Sequence, residues 1–190
     1  MQVITDSVLS AKIDRLVDDK IRRSANGTWT VSKIPGWDAV PLRSGAHLID
    51  TAIDGIISVL SVPNDTRLFA IAAEPVGEFD SVFEIEPTLS DLRQFNRDVG
   101  FLNYVLAATD MEAEILRWAL LCSTDDFVVA LGPEQLLEKI MRESFQEAYA
   151  DFHRYAADDA WQPDMRAMLS RVEEVVRRYS HAPETSYLEI

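Results

Sequence analysis

The pattern that is easiest to read in this chain lies in residues 118–156, WALLCSTDDFVVALGPEQLLEKIMRESFQEAYADFHRYA. The runs 118–122 and 127–131 consist of residue types that favour strands, and four polar residues that favour turns join them. This pattern predicts a β-hairpin. Gly132 then frees the backbone, and Pro133 suits the first position of a helix because its missing N–H has no partner there. The sequence therefore predicts a helix that begins directly after the hairpin.

An apolar stripe continues along this predicted helix. Its members recur at steps of three or four residues, which places them on one face: Leu137, Met141, Phe145, Ala148, Phe152 and Tyr155. We expect one long helix whose apolar face packs on the sheet. Its outer face carries Glu143, Glu147 and Asp151, and carboxylates at this spacing are typical of a solvated face.

The rest of the chain alternates between helical and strand patterns. Helices are predicted at 5–24, 44–60, 88–100 and 164–179, strands at 28–34, 68–73, 81–86 and 102–108, and a loop at 35–41. Gly55, in the middle of the second helix, predicts close approach of a neighbouring element. Residues 109–122 permit either one helical turn followed by a strand or a single helix, and the strand is preferred because the hairpin needs a partner.

This order of elements predicts the α+β class. We expect an antiparallel or mixed sheet of about five to six strands with four to five helices packed on it, because adjacent strands have connections short enough for hairpins. Residues 1–180 are expected to form one globular domain and residues 181–190 a C-terminal tail. At 190 residues and 47% apolar content, the chain has enough material for a sizeable core.

Composition also limits the cellular setting. No apolar run approaches the roughly 18 to 20 residues that cross a bilayer, so we expect no membrane partner. The first residues lack the basic and apolar segments of a secretory signal. The single cysteine, Cys122, cannot form an intrachain disulfide, which fits a reducing compartment. The expected location is the cytoplasm.

The net charge of −14 is concentrated in the middle of the chain. Residues 61–163 contain twenty acidic and seven basic residues, whereas residues 1–60 contain seven of each. A negative field of this size repels nucleic-acid phosphate and anionic lipid. The sequence therefore predicts no nucleic-acid partner and favours a basic protein partner, although an acidic surface is also a common means of solubility.

The sequence contains no local catalytic or metal-binding pattern. His47, His153 and His181 are too far apart for a local zinc site, and on a helix His153 would point away from Asp151. Cys122 ends an apolar run, which is typical of a buried cysteine and not of a nucleophile. Phosphate-binding, dinucleotide-binding and nucleophile-elbow motifs are absent. We therefore predict no catalytic residue, no metal and no cofactor.

The candidate partner-binding residues lie in two places. Trp37, in the loop at 35–41, is either a plug over the edge of the core or an exposed interface anchor. The second place is an acidic cluster without basic residues between positions 68 and 92, which makes it the best local candidate for a recognition surface: Glu74, Glu78, Asp80, Glu84 and Glu86. Together with the acidic face of the long helix, this cluster is expected to form one combined surface.

Three functional hypotheses follow. The first is a small acidic interaction module, for example an inhibitor or immunity-type protein that covers a basic toxin or nuclease. The second is an enzyme or small-ligand-binding protein whose pocket lies between the sheet and the loop carrying Trp37. The third is an assembly subunit that uses the apolar stripe of the helix at 164–179, although such a stripe is more often part of the core.

Overall fold

The computed structural model describes residues 1–23, 29–43, 50–60, 66–72, 82–98, 103–183 and 186–190. Within these ranges it contains six helices: α1 (Ser7–Asp18), α2 (Asp50–Leu60), α3 (Leu89–Asp98), α4 (Glu134–Met141), α5 (Phe145–Ala156) and α6 (Pro163–Ser180). The same ranges contain ten strands: β1 (Gln2–Val3), β2 (Ile21–Arg23), β3 (Trp29–Ser32), β4 (Asp38–Arg43), β5 (Thr66–Ala72), β6 (Val82–Ile85), β7 (Tyr104–Asp110), β8 (Ile115–Cys122), β9 (Phe127–Gly132) and β10 (Tyr187–Glu189).

The strands form two antiparallel sheets. Among the described residues, the main sheet has seven strands in the order β1-β6-β5-β7-β8-β9-β4, and the small sheet has the order β10-β3-β2. The predicted α+β class is confirmed. No helix in the described ranges is both long enough and apolar enough to cross a membrane.

The predicted hairpin forms the fifth and sixth strands of the main sheet, next to edge strand β4. Strands β8 and β9 pair antiparallel, with Ala119 opposite Leu131 and Cys122 opposite Val128. Residues 111–114 form a turn that joins β7 to β8, so the alternative of one helix through Cys122 is wrong. The hairpin was predictable because a tight turn between two apolar runs is a local signal.

Helices cover both faces of the main sheet. Helices α2, α3 and α4 pack on the face that carries Leu106 and Leu120. Helices α5 and α6 and the small sheet pack on the opposite face, which carries Val105 and Leu121. Helix α1 covers the remaining part of this second face at Phe69. Since both faces are buried, β8 and β9 are nearly continuous apolar runs and do not alternate with polar residues.

The single long helix predicted after the hairpin is wrong, because the chain breaks between α4 and α5. Arg142 follows α4 in the left-handed conformation, with φ of 59°. Ser144 then caps α5: its hydroxyl accepts from the Glu147 backbone N–H at 3.2 Å, and the Glu147 carboxylate accepts from the Ser144 backbone N–H at 3.0 Å. This capping box fixes a new helix start.

Three other expectations also need correction. Residues 38–41 of the predicted loop belong to edge strand β4, which accommodates Pro41 because an edge strand tolerates a missing N–H on its outer side. Helix α1 ends at Asp18, so Ile21 belongs to β2 and is buried there. Residues 187–189, expected in the tail, pair with β3 and bury Leu188.

Gly55 marks a close contact between α2 and α4, as the sequence predicted. A Cβ atom at this position would lie 1.8 Å from the backbone oxygen of Ile140. No side chain fits in that space, so glycine allows the two helix backbones to touch. The amino-terminal part of the predicted helix at 44–60 lies outside the described residues up to position 49.

Candidate functional site

A groove lined by charged, polar and aromatic residues lies at the β4 edge of the main sheet, between helices α5 and α6. Its volume is about 670 Å³, within the roughly 300–1,000 Å³ typical of ligand pockets. We name it the edge groove and define it by the residues that line it: Asp38, Glu134, Phe145, Gln146, Tyr149, Ala150, His153, Glu173, Arg177, Ser180 and His181. It brings together residues from β4, α4, α5 and α6, including the residue that directly follows Trp37.

Helix side chains bond the outer edge of β4 at the base of this groove. The backbone N–H of Ala39 donates to the Ser180 hydroxyl oxygen at 3.3 Å, and this hydroxyl in turn donates to the Ala39 carbonyl oxygen at 3.2 Å. The Tyr149 hydroxyl donates to the same carbonyl at 2.9 Å. These bonds satisfy backbone groups that would otherwise be open to another strand. Pro41, two residues further, has no N–H to offer at all.

Charged side chains link α5 to α6 along one wall of the groove. The Glu173 carboxylate lies 3.0 Å from Nδ1 of His153 and accepts a hydrogen bond from Arg177 at 2.9 Å. The Arg177 guanidinium also stacks over the Tyr149 ring, 4.7 Å from its centroid. Glu173 and Arg177 are therefore mutually neutralised and held in place.

Tyr149 acts as a hydrogen-bond donor in this wall. Burial is the main reason that its pKa is raised to about 12, and the Asp38 and Glu173 carboxylates raise it further. The Ser180 hydroxyl and the Arg177 charge lower it in part. The phenol therefore stays protonated at neutral pH, which suits a fixed donor to β4 and not a general base.

Two carboxylates of the edge groove have no ion pair within the described part of the chain. Asp38 is half-buried on β4, and Glu134 is exposed in the first turn of α4. Phe145 and Tyr149, both partly buried, supply aromatic surface to the same groove. An aromatic surface beside free carboxylates is suited to a cationic side chain, whose stem is apolar and whose head is charged.

The residues predicted to bind a partner are dispersed. Trp37 is only 6% exposed and packs in the core beneath the small sheet, so it is the plug of the two alternatives and not an exposed anchor. Glu74, Glu78 and Asp80 lie outside the described residues. Glu84, on β6, is paired by two hydrogen bonds from Arg67, at 2.6 and 2.5 Å.

Glu86 is exposed just after β6 and contributes to the raised pKa of Arg67, which the hydrogen bond to Glu84 raises most. Arg67 lies on the neighbouring strand β5. It comes just before residues 68–92, the range in which the sequence shows no basic residue, so the sequence did not indicate this pairing. The two described residues of the predicted acidic cluster are therefore partly neutralised across the sheet. Whether this cluster binds a partner stays a prediction.

In the part of the chain that the structure describes, the two acidic regions expected to form one surface lie far apart. Strand β6 and strand β4, against which α5 packs, are five strand positions apart, or about 24 Å at the usual strand spacing. This exceeds the screening length of about 8 Å at physiological salt. On α5 itself, Asp151 pairs with Arg43 at 2.6 Å and Arg154 at 3.0 Å. The described residues of these two acidic regions are therefore electrostatically separate.

Glu143 lies near these groups at the break between α4 and α5. Burial raises its pKa, and the neighbouring carboxylates of Asp151 and Glu147 raise it further. His153 points away from Asp151 to Glu173, as the helical spacing predicted. Among the described residues, no group of three or more histidines, cysteines or carboxylates is arranged to hold a metal ion.

Cys122 is a core residue, as its position in an apolar run predicted. Its thiol is fully buried beside Tyr104, and burial raises its pKa to about 12. A thiol in this state is a poor nucleophile because the thiolate is disfavoured and no reagent can reach it. The apolar stripe of α6 is likewise used within the chain, since Leu169, Val172 and Val176 are buried against the main sheet.

Comparison with known proteins does not add a relative. No protein-family model matches the chain, and no curated protein and no solved structure matches it.

Most of the edge groove has no local signal in the sequence. Asp38 and His181 are far apart in the chain and meet because α6 packs along β4. The hypothesis of a pocket beside the loop carrying Trp37 pointed to the right neighbourhood, but it named no lining residue. The capping pattern of Ser144 and Glu147 was the one local signal that could have separated α4 from α5 and so indicated where the groove begins.

Proposed function

We propose that this protein is an interaction module that binds a basic partner protein, and that the edge groove receives an arginine or lysine side chain of that partner. The observation that supports this proposal is a pair of carboxylates, Asp38 and Glu134, that have no ion pair among the described residues and lie beside the aromatic surface of Phe145 and Tyr149. The proposal keeps the class of partner expected from the charge of the chain and moves the docking site from β6 to β4.

The charges around the groove favour a cation. Three of the lining residues are carboxylates and one is a guanidinium, and that guanidinium is already engaged by Glu173. An incoming arginine would lay its apolar stem on Phe145 and place its head between Asp38 and Glu134. The net charge of −14 adds a long-range attraction that raises the rate of encounter with a basic protein.

The way in which β4 is bonded indicates a side-chain binding site and not strand addition. Ser180 and Tyr149 occupy the outward backbone groups of Ala39, and Pro41 offers no donor. A partner strand therefore has no ladder of free donors and acceptors to extend at this edge. Recognition would depend on the groove side chains.

The proposal is tested by titrating the protein with a capped hexapeptide that has one arginine between two leucines. The double variant D38N/E134Q should bind it about 10-fold more weakly, since two charge-assisted contacts at a partly exposed site lose on the order of 1–2 kcal/mol. The matched control is D19N/E112Q, which makes the same charge change at two exposed residues outside the groove.

Binding to the wild type should weaken as salt is raised, because the attraction is electrostatic. Equal loss in D38N/E134Q and D19N/E112Q would mean that only net charge matters and would contradict the groove proposal. An unchanged affinity in both variants would contradict the proposal of a cation site altogether.

A further inference from the structure

A second groove lies on the opposite face of the main sheet and has the opposite charge. Its volume is about 730 Å³. We name it the bulge groove, and it is lined by residues of α2, β5, β8 and α4: Ser58, Val59, Leu60, Thr66, Arg117, Trp118, Leu136, Lys139 and Arg142. Among the described residues that line it, three are cationic and none is a carboxylate. In a chain with 32 acidic and 18 basic residues, this local excess of cations is unusual.

A β-bulge directs Arg117 to this groove. Ala108 is opposite Trp118 and Thr109 is opposite Leu116, so Arg117 is the extra residue of β8. A bulge changes the direction of the side chain at the extra position. The Arg117 guanidinium donates one hydrogen bond to Asp110 at 2.5 Å. Because a guanidinium has five N–H groups, this anchor leaves donors for a ligand.

The other two cations come from the end of α4. Arg142 follows the helix in the left-handed conformation and lies 3.5 Å from the Asp54 carboxylate, with both side chains about half exposed. That pair is weak, since it is long and solvated. Lys139 is exposed and has no ion pair within the described residues. The cationic set is therefore only partly compensated by its own chain.

We propose that the bulge groove binds a small molecule that carries a phosphate group on an apolar body. A phosphate monoester has a charge of about −1.5 to −2, and its oxygens match the fork of an arginine. The apolar body would contact Leu60 and Leu136. The overall negative charge does not prevent this, because acids beyond about 8 Å are screened at physiological salt. The inference is independent of the edge groove and its proposed function.

The test is an NMR titration of the full chain with phenyl phosphate, with inorganic phosphate and phenol as the two partial probes. Phenyl phosphate should bind saturably with Kd of about 1 mM, and phosphate and phenol more weakly. The backbone amides of Arg117 and Lys139 and the indole of Trp118 should shift. Saturable shifts that map to another surface, or the absence of saturable shifts, would overturn the proposal on the wild-type protein alone.

Variants provide the second test. K139Q/R142Q should weaken phenyl phosphate binding about 10-fold, because it removes two of the three cations. The matched control K20Q/R171Q removes one lysine and one arginine at exposed positions outside the groove and should change Kd by less than about 2-fold. Equal losses in the two variants would show a response to net charge alone and would overturn the site.

Discussion

The contact between α2 and α4 at Gly55 provides a sharp test of the fold. Replacing a glycine inside a helix by alanine normally stabilises the helix by about 1 kcal/mol. In Gly55→Ala the new Cβ would lie 1.8 Å from the backbone oxygen of Ile140 and 2.5 Å from its carbonyl carbon. Both are backbone atoms, so no side-chain rotation relieves the clash. The substitution should therefore destabilise the protein.

The size of the effect follows from the separation that the clash requires. The two helices must move apart by more than about 1 Å, and a gap of about 0.5–1 Å already forfeits a quarter to a half of the dispersion energy of the atoms in contact. Ile53, Ile56 and Ile140, all buried at this interface, lose packing together. The overpacking cost should therefore lie at the upper end of the usual range of about 1–3 kcal/mol, and with the helix-propensity gain of about 1 kcal/mol subtracted we expect a net loss of about 2 kcal/mol.

Urea unfolding followed by far-UV circular dichroism measures this change as a lower midpoint at similar slope. The control is Ser58→Ala in the same helix, where the side chain is exposed and the effect should stay within about 0.5 kcal/mol. If Gly55→Ala were as stable as the wild type or more stable, the close contact of α2 and α4 would be wrong.

Three further predictions concern other parts of the structure. Ser180→Ala should lower the free energy of unfolding in urea by about 1–2 kcal/mol, because the buried Ala39 N–H loses its acceptor. The control Ser170→Ala, on the exposed side of α6, should be near neutral. Equal values for the two variants would contradict the bonding of the β4 edge. Ser144→Ala should cost about 1 kcal/mol through loss of the cap. The Glu147 pKa is lowered first by its bond to the Ser144 backbone N–H and then by the Ser144 hydroxyl, so the stability it contributes is present above its unfolded pKa and is lost as pH falls through the folded value. The Ser144→Ala penalty should accordingly shrink in unfolding curves below about pH 4, and a penalty that grew there would refute the capping box. Cys122 should not react with a thiol-specific chromogenic disulfide in the native state, because its thiol is fully buried with a pKa of about 12. It should react once the chain is unfolded. Fast labelling of the native protein would contradict its place in the core.

Local patterns in the sequence predicted much of the fold. The hairpin of β8 and β9 and helix α6 each depend on residues close together in the chain, and both were placed correctly. The break at Arg142 was missed because the apolar stripe continues from Met141 to Phe145 across it. Periodicity reports which residues are apolar and does not report that the helix axis changes direction.

Edge strand β4 was missed for a different reason. Pro41 normally argues against a strand, and only its place at the edge of the sheet, which depends on pairing with β9, makes it acceptable. The charge of Glu84 was misjudged in the same way, because its partner Arg67 lies on the neighbouring strand. Contacts between strands distant in sequence are not encoded in any single window of residues.

The edge groove was beyond sequence reasoning because none of its parts is distinctive alone. Asp38 follows a buried tryptophan, Glu134 begins a short helix, and Glu173 lies on the polar side of α6. Only the packing of α5 and α6 along β4 brings these carboxylates to one place. The charge of the chain suggested the hypothesis of a basic partner, but it could not indicate where a site for that partner would lie.

The most direct test of the central proposal compares two ligands on the unmodified protein. One is the capped hexapeptide with a central arginine, and the other has citrulline in its place, which keeps the shape and removes the charge. If the edge groove receives a cation between Asp38 and Glu134, the arginine peptide should bind at least about 10-fold more tightly and should shift the amides of Phe145 and Ala150. Equal affinities for the two peptides, or shifts confined to residues outside the groove, would contradict the proposal.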